Sequence, residues 1–202
     1  MVSINSTEQN ILLTVAANSI KYGLIEHVAL PIHIDIFPTN LKLERGTFVT
    51  LEINKLLRGC IGSLSPVHPL VTDVSHNAFA AAFEDPRFPA VTEKEFEQLD
   101  IHISILSPTE KIEFSSEQDL LDQIRPNIDG LVLSDNFHRG TFLPSVWESL
   151  PDKEQFLRHL KQKAGLAENH WSNTLTVDRY TCDVFGSHIS SISMELPQDL
   201  PI

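Results

Sequence analysis

The stretch "TFVTLEINKLLRGCIG", Thr47–Gly62, decides how the rest of the chain is read. Thr47 to Ile53 is rich in β-branched and aromatic residues, the composition of a half-buried strand. Asn54-Lys55 reads as a tight turn, because asparagine tolerates the left-handed backbone that a short hairpin loop demands. Leu56 to Ile61 then returns as the partner strand. On this reading Arg58 and Cys60 lie at the end of a strand, set between Gly59 and Gly62.

The neighbouring segments extend this into mixed helix and strand. Upstream, Ser6 and Gln9 have capping-box spacing. Ile11, Leu12, Val15, Ala16 and Ile20 follow at helical intervals, and Gly23 reads as the stop. A connection punctuated by Pro31 and Pro38 leads to the hairpin. Downstream, Pro69 suits the first turn of a second helix. Its inward face is made of Leu70, Val71, Val74, Asn77, Ala78, Ala81 and Ala82, and "EDPRFPAV" breaks it. Ile101, Ile103 and Ile105 alternate with His102 and Ser104, which is the period of a strand.

The second half continues the pattern. Lys111 to Phe114 reads as a short strand. A helix over Glu117 to Ile124 follows, capped by Ser115 or Ser116 and closed before Pro126. "DGLVLSDNFHRGTFLPSVW", 129–147, is a hairpin signature ending in a helical turn at Pro144. Pro151 or Asp152 opens a helix with Phe156, Leu157 and Leu160 inward. Its end, "KQKAGL", places Lys161 and Lys163 near the negative pole of the helix and Gly165 as the left-handed cap. A final strand fits Thr174 to Phe185. Hairpins interspersed with helices, without βαβ alternation, predict an α+β fold with a largely antiparallel sheet.

Composition narrows the classes of function. The 202 residues are 42% hydrophobic and 21% charged, enough apolar material for a core, with a net charge of −12. That acidity opposes binding to phosphate backbones and anionic lipid, and the basic cluster from Arg158 to Lys163 is too short to reverse it. No basic leader segment or apolar run near ~18 residues marks the chain for export or membranes, so a cytoplasmic protein is expected. Cys60 and Cys182, with no C-x-x-C pair, read as reduced thiols.

Six segments in order, "LLRGCIG", "NAFAAAFEDPRF", "DGLVL", "GTFLPSVW", "FLRHLKQKAGL" and "RYTCDVF", resemble the AMMECR domain family, which includes the A component of the AmmeMemoRadiSam set. The resemblance implies a single domain over 1–202, with a family-like core at about 6–187. It implies two interlocked α+β subdomains, of unspecified boundary, with the L-R-G-C-I-G hallmark near a cleft between them. It also implies an association with a Memo-like protein and a radical-SAM protein. It brings no reaction or cofactor. After Phe185 the chain departs from the family pattern, with Gly186-Ser187 where an acidic residue is expected.

Cys60 reads two ways. It is a nucleophile if a cation stabilises its thiolate, and in a regular strand Arg58 shares its face. Otherwise it is a small buried hydrophobe. Gly59 and Gly62 would admit a ligand or a second backbone. Arg58 is either a bidentate clamp for carboxylate or phosphate, or the internal partner of Asp73, Glu84 or Asp85. Arg87 divides between a ligand contact and a pair with a carboxylate, while Asp85 caps the turn before Pro86. His68 could serve Cys60 as a base. His68 and His76 would face the same way only if their helix began before Pro69. The spacing of histidines and cysteines matches no metal motif, so neither metal nor cofactor is expected. No phosphate loop or nucleophile elbow is present, and Trp147 and Trp171 read as core and staple residues.

The expected function is therefore the binding of an anionic small molecule or modified macromolecule, as a component of an enzyme system. Whether this chain is itself an enzyme is left open. The alternatives are a non-catalytic protein-interaction adaptor and, less favoured by the charge, an RNA or nucleotide binder.

Overall fold

Asn54 and Lys55 both take the left-handed conformation, with φ of 53° and 64°. They join strand β1 (Thr47–Ile53) to strand β2 (Leu56–Ser63) as the antiparallel hairpin that the sequence predicts. The structure, a computed structural model, describes residues 4–196. Among these the chain forms two compact units, one comprising the chain up to Leu106 and again from Asp183, the other Ser107–Cys182. Each contains a four-stranded antiparallel sheet and its own apolar core. The α+β class is as expected, with two sheets where the periodicity suggests one.

In the first unit the order is β2-β1-β3-β8, where β3 is Asp100–Leu106 and β8 is Cys182–His188. Val49 and Leu51 of β1 lie opposite Ile103 and Ile101 of β3, and all four are fully buried. The alternate positions Phe48, Thr50 and Glu52, opposite Ser104, His102 and Asp100, form the more polar face. Helix α1 (Ser6–Glu26) packs with helix α2 (Leu70–Phe83), and α2 also lies on β1 and β2. This layering buries apolar strand positions that would otherwise contact water.

Two sequence expectations about these helices are corrected. The capping box of α1 uses Asn5 and Glu8, one residue before the expected Ser6 and Gln9. Gly23 does not stop the helix, which continues to Glu26 and ends on His27 at φ 60°. Gly23 is small for another reason: a Cβ there would lie 2.6–2.7 Å from the rings of Phe83 and Phe79 on α2. Helix α2 starts at Leu70 with Pro69 as its cap residue. A one-turn helix, α3 (Glu93–Phe96), follows, with its own capping box from Thr92 and Glu95.

The second unit orders its strands β4-β7-β5-β6, with β4 at Glu110–Ile112, β5 at Gly130–Asp135, β6 at His138–Phe142 and β7 at Thr176–Tyr180. Helix α4 (Glu117–Gln123) is capped by Ser116, and helix α5 (Lys153–Lys163) by Asp152. Trp147 stacks on Phe156 of α5 with centroids 3.7 Å apart. Its indole N–H donates to the Asp129 carbonyl, which gives a buried aromatic the polar partner it needs.

Two further corrections belong here. The single final strand is two strands, β7 and β8, which break at Thr181 and join different sheets. Thr181 leaves the ladder to exchange hydrogen bonds with Ser107. Lys161 lies in the last turn of α5 as the sequence predicts, but its ammonium is engaged by a side chain and an aromatic ring. It is fully buried, donates to Glu117 at 2.7 Å and lies 5.7 Å from the Trp171 ring. Among the described residues no helix is long and apolar enough to cross a membrane.

Candidate functional site

The register of the hairpin positions the residues of interest. Leu51 pairs with Gly59 and Glu52 with Leu57, so Arg58 is the extra residue of a β-bulge. Bulges re-aim the side chain they carry. Arg58 is therefore turned out of regular alternation, and it is 8% exposed. Its Nε and Nη2 donate to the two carboxylate oxygens of Glu95 at 2.8 and 3.2 Å. The expected partners Asp73, Glu84 and Asp85 are thus replaced by a residue on α3. Glu95 also accepts from the Thr92 backbone and hydroxyl within its capping box.

The third guanidinium nitrogen is different. Arg58 Nη1 is buried and has no hydrogen-bond partner. A buried donor without an acceptor costs about 1–3 kcal/mol, and more when the group is charged. The hydrogen bonds and charge of Arg58 hold the Glu95 carboxyl down at about 2, against the opposing effect of burial. The ion pair accordingly stabilises the fold above the ordinary glutamate range, and that contribution is lost as pH falls toward 2.

Cys60 sits two residues on, in an edge strand whose outer backbone groups need partners. Asp85 and Arg87 supply them. The Cys60 N–H donates to Asp85 Oδ2 at 2.9 Å, and Arg87 Nη2 donates to the Cys60 carbonyl at 3.3 Å. Asp85 and Arg87 are themselves joined through a two-pronged pair at 2.9 and 2.7 Å. The carboxylate and guanidinium thus do locally what a neighbouring strand would do. The Arg87 hydrogen bonds take the buried Asp85 carboxyl far below the usual range, with help from the Cys60 and Arg87 backbone N–H groups.

The Cys60 side chain is half-buried. Thr50, directly opposite on β1, donates its hydroxyl to the sulfur at 3.2 Å. Arg87 is raised above its usual value, first by the side-chain hydrogen bond to Asp85, against the opposing effect of burial. The Phe88 ring lies 5.9 Å from the Arg58 guanidinium carbon and 5.5 Å from that of Arg87. Both cations approach the same aromatic ring, a contact whose attraction strengthens when water is excluded.

The glycines have a packing role. A Cβ on Gly59 would fall on the Ala81 carbonyl of α2, and one on Gly62 would fall on the Thr47 carbonyl and Phe48. Their missing side chains are filled by the protein's own backbone. Leu57, which precedes the bulge near the hairpin tip, is 42% exposed. His68 meets His76 edge-on at 5.4 Å, although α2 begins after Pro69 and not before it. Among the described residues no three His, Cys, Asp or Glu side chains converge as a metal ion would require. Thr50, Phe88 and Glu95 are the participants that sequence reading missed. Only Glu95 carried a signal, the T-x-x-E spacing of its capping box.

Comparison with known proteins agrees with this architecture. Protein MJ0810 of Methanocaldococcus jannaschii is 36% identical over 160 residues, 75% of this chain and 78% of that protein. A Thermotoga maritima protein is 34% identical over 173 residues, 85% of this chain and 92% of its own length. The crystal structure of the uncharacterized protein PH0010 from Pyrococcus horikoshii superposes with a TM-score of 0.83 at 31% identity, covering 96% of this chain and 95% of that one. The AMMECR1 family model matches residues 13–185, and the chain belongs to the AMMECR1 family.

Proposed function

We propose that the first unit binds an anionic small molecule, or an anionic group on a modified macromolecule, through Arg58, with Cys60 and Arg87 beside it. The observation that carries this reading is the buried, unpartnered Nη1 of Arg58. Glu95 occupies only one side of the guanidinium fork, and an incoming carboxylate or phosphate oxygen would satisfy the other. Arg87 adds positive charge at the same strand, and Cys60 is the nucleophile available to a bound group.

Calorimetry at low salt, with inorganic phosphate and succinate as probes, tests the reading in two directions. Arg58→Lys should weaken binding about tenfold or more, since an ammonium cannot reproduce the fork. Glu95→Gln should strengthen it, because it removes the competing charge while keeping the capping-box geometry. Equal affinity in wild type and both variants would remove Arg58 from any anion site.

A second reading, a protein-interaction adaptor, is favoured by Leu56 and Leu57, which are 73% and 42% exposed just ahead of Arg58. The Memo-like and radical-SAM proteins implied by the family resemblance are the partners to try. Leu56→Ser combined with Leu57→Ser would abolish such an association and leave anion binding unchanged.

A further inference from the structure

Arg58 and Arg87 are built alike. Each commits the same two nitrogens, Nε and Nη2, to the two oxygens of one internal carboxylate. Arg58 holds Glu95 at 2.8 and 3.2 Å, and Arg87 holds Asp85 at 2.9 and 2.7 Å. In a planar guanidinium this side-on pairing turns Nη1, with its two N–H donors, away from the paired carboxylate. At Arg58 that nitrogen is buried and has no acceptor. At Arg87 the side chain is half open to solvent, so water reaches the group.

The two guanidiniums belong to one neighbourhood. Arg58 precedes Cys60 by two residues on β2, and Arg87 Nη2 donates to the Cys60 carbonyl at 3.3 Å. The Phe88 ring lies 5.9 Å from one guanidinium carbon and 5.5 Å from the other, so apolar surface is shared by both cations. Each cation is already neutralised by its own carboxylate. What the pair offers a ligand is therefore directed, charge-assisted hydrogen bonding more than net charge. One acceptor group completes one guanidinium; completing both takes two.

Taking Arg58 as an anion site, on which this inference rests, we propose that its ligand carries two anionic groups joined by a short apolar spacer. The inner group completes the buried Arg58, the outer group is held by the half-exposed Arg87, and the spacer lies along Phe88. The two ends differ in character. The inner group sheds its water to reach a buried donor, so it is selected by hydrogen-bond geometry. The outer group stays hydrated, and an ion pair in that setting adds modest affinity while fixing which way the ligand lies. Short dicarboxylates are the simplest members of this class.

The experiment is calorimetry of the full chain at one fixed ionic strength, with succinate and succinamate as probes. Succinamate matches succinate in size but carries an amide in place of one carboxylate. Succinate should bind several-fold more tightly. The net charge of −12 opposes a second negative charge, so that gain requires a local cation. Arg87→Gln should erase the difference by bringing succinate down to succinamate. Arg87→Lys, which retains a cation, should keep part of it and guards against a fold lost in the glutamine variant. No binding of either probe, or binding that Arg58→Lys leaves unchanged, would end the anion site and this inference together. Binding that Arg58→Lys weakens, with the two probes equal in wild type, would keep the anion site and overturn the second contact. A preference for succinate that survives Arg87→Gln would also overturn it, by placing the second group elsewhere.

Discussion

At the scale of single residues, Cys60 is held by three neighbours that each restrain a different atom. Thr50 reaches the sulfur, Asp85 the N–H and Arg87 the carbonyl. Only the first depends on the side chain, so substitution separates the thiol's chemistry from its packing. Cys60→Ser keeps an acceptor for the Thr50 hydroxyl and should cost less than about 1 kcal/mol in urea unfolding. Cys60→Ala loses the acceptor and leaves a small void, and should cost on the order of 1 kcal/mol. Iodoacetamide should modify the half-buried Cys60 in the folded protein, and Arg87→Gln, which removes a hydrogen bond to the Cys60 carbonyl, should raise that rate several-fold by loosening the strand edge. Site-resolved mass spectrometry reads both rates, and unchanged rates would sever Arg87 from the thiol. The sequence made Arg58, Cys60 and Arg87 conspicuous by residue type, but it named the wrong carboxylate for Arg58. Glu95 lies 37 positions along the chain, and neither the bulge nor the single turn of α3 leaves a periodic trace that would connect them.

At the scale of elements, what was legible is what local chemistry decides. The Asn54-Lys55 turn, the Ser116 and Asp152 caps and the left-handed Gly165 all follow from the preferences of the residues that carry them. The split of the last strand was illegible, because residues of strand composition run on from Thr174 to Phe185 while the hydrogen-bond partner changes from β5 to β3. The edge of β2 was equally hidden, since its cap is built from side chains of the "EDPRF" segment. Asp85→Ala should expose that edge, strand the Cys60 N–H and cost about 2 kcal/mol, visible as a lower urea midpoint with an unchanged slope. Gly59→Ala should cost more, because its Cβ would meet the Ala81 carbonyl and β2 would have to lift from α2. A Gly59→Ala protein as stable as wild type would show that β2 and α2 are less closely packed than described.

At the scale of the whole molecule, the two cores draw on different stretches of chain. One is built from residues up to Ile105 together with Ile189, the other from residues between Ile112 and Val177. Segment 107–182 is therefore an insertion between neighbouring strands, β3 and β8, of the first sheet. Composition and periodicity predicted the fold class but not this nesting, because each strand looks alike whichever sheet it joins. Replacing 107–182 by a two-residue Asn-Gly turn should leave a first unit that still unfolds cooperatively, and the excised segment should keep its own helix and strand signal in circular dichroism. Loss of structure in both fragments would show that neither core is self-sufficient. The nesting also sets a timetable. On the ribosome β1, β2 and β3 emerge early, yet the strand that covers the far side of β3 is made only after the entire insertion. Through that interval the newborn sheet carries a bare edge, so prompt folding of the inserted segment, which shortens the loop left to close, governs how long the nascent chain is exposed to wrong pairing.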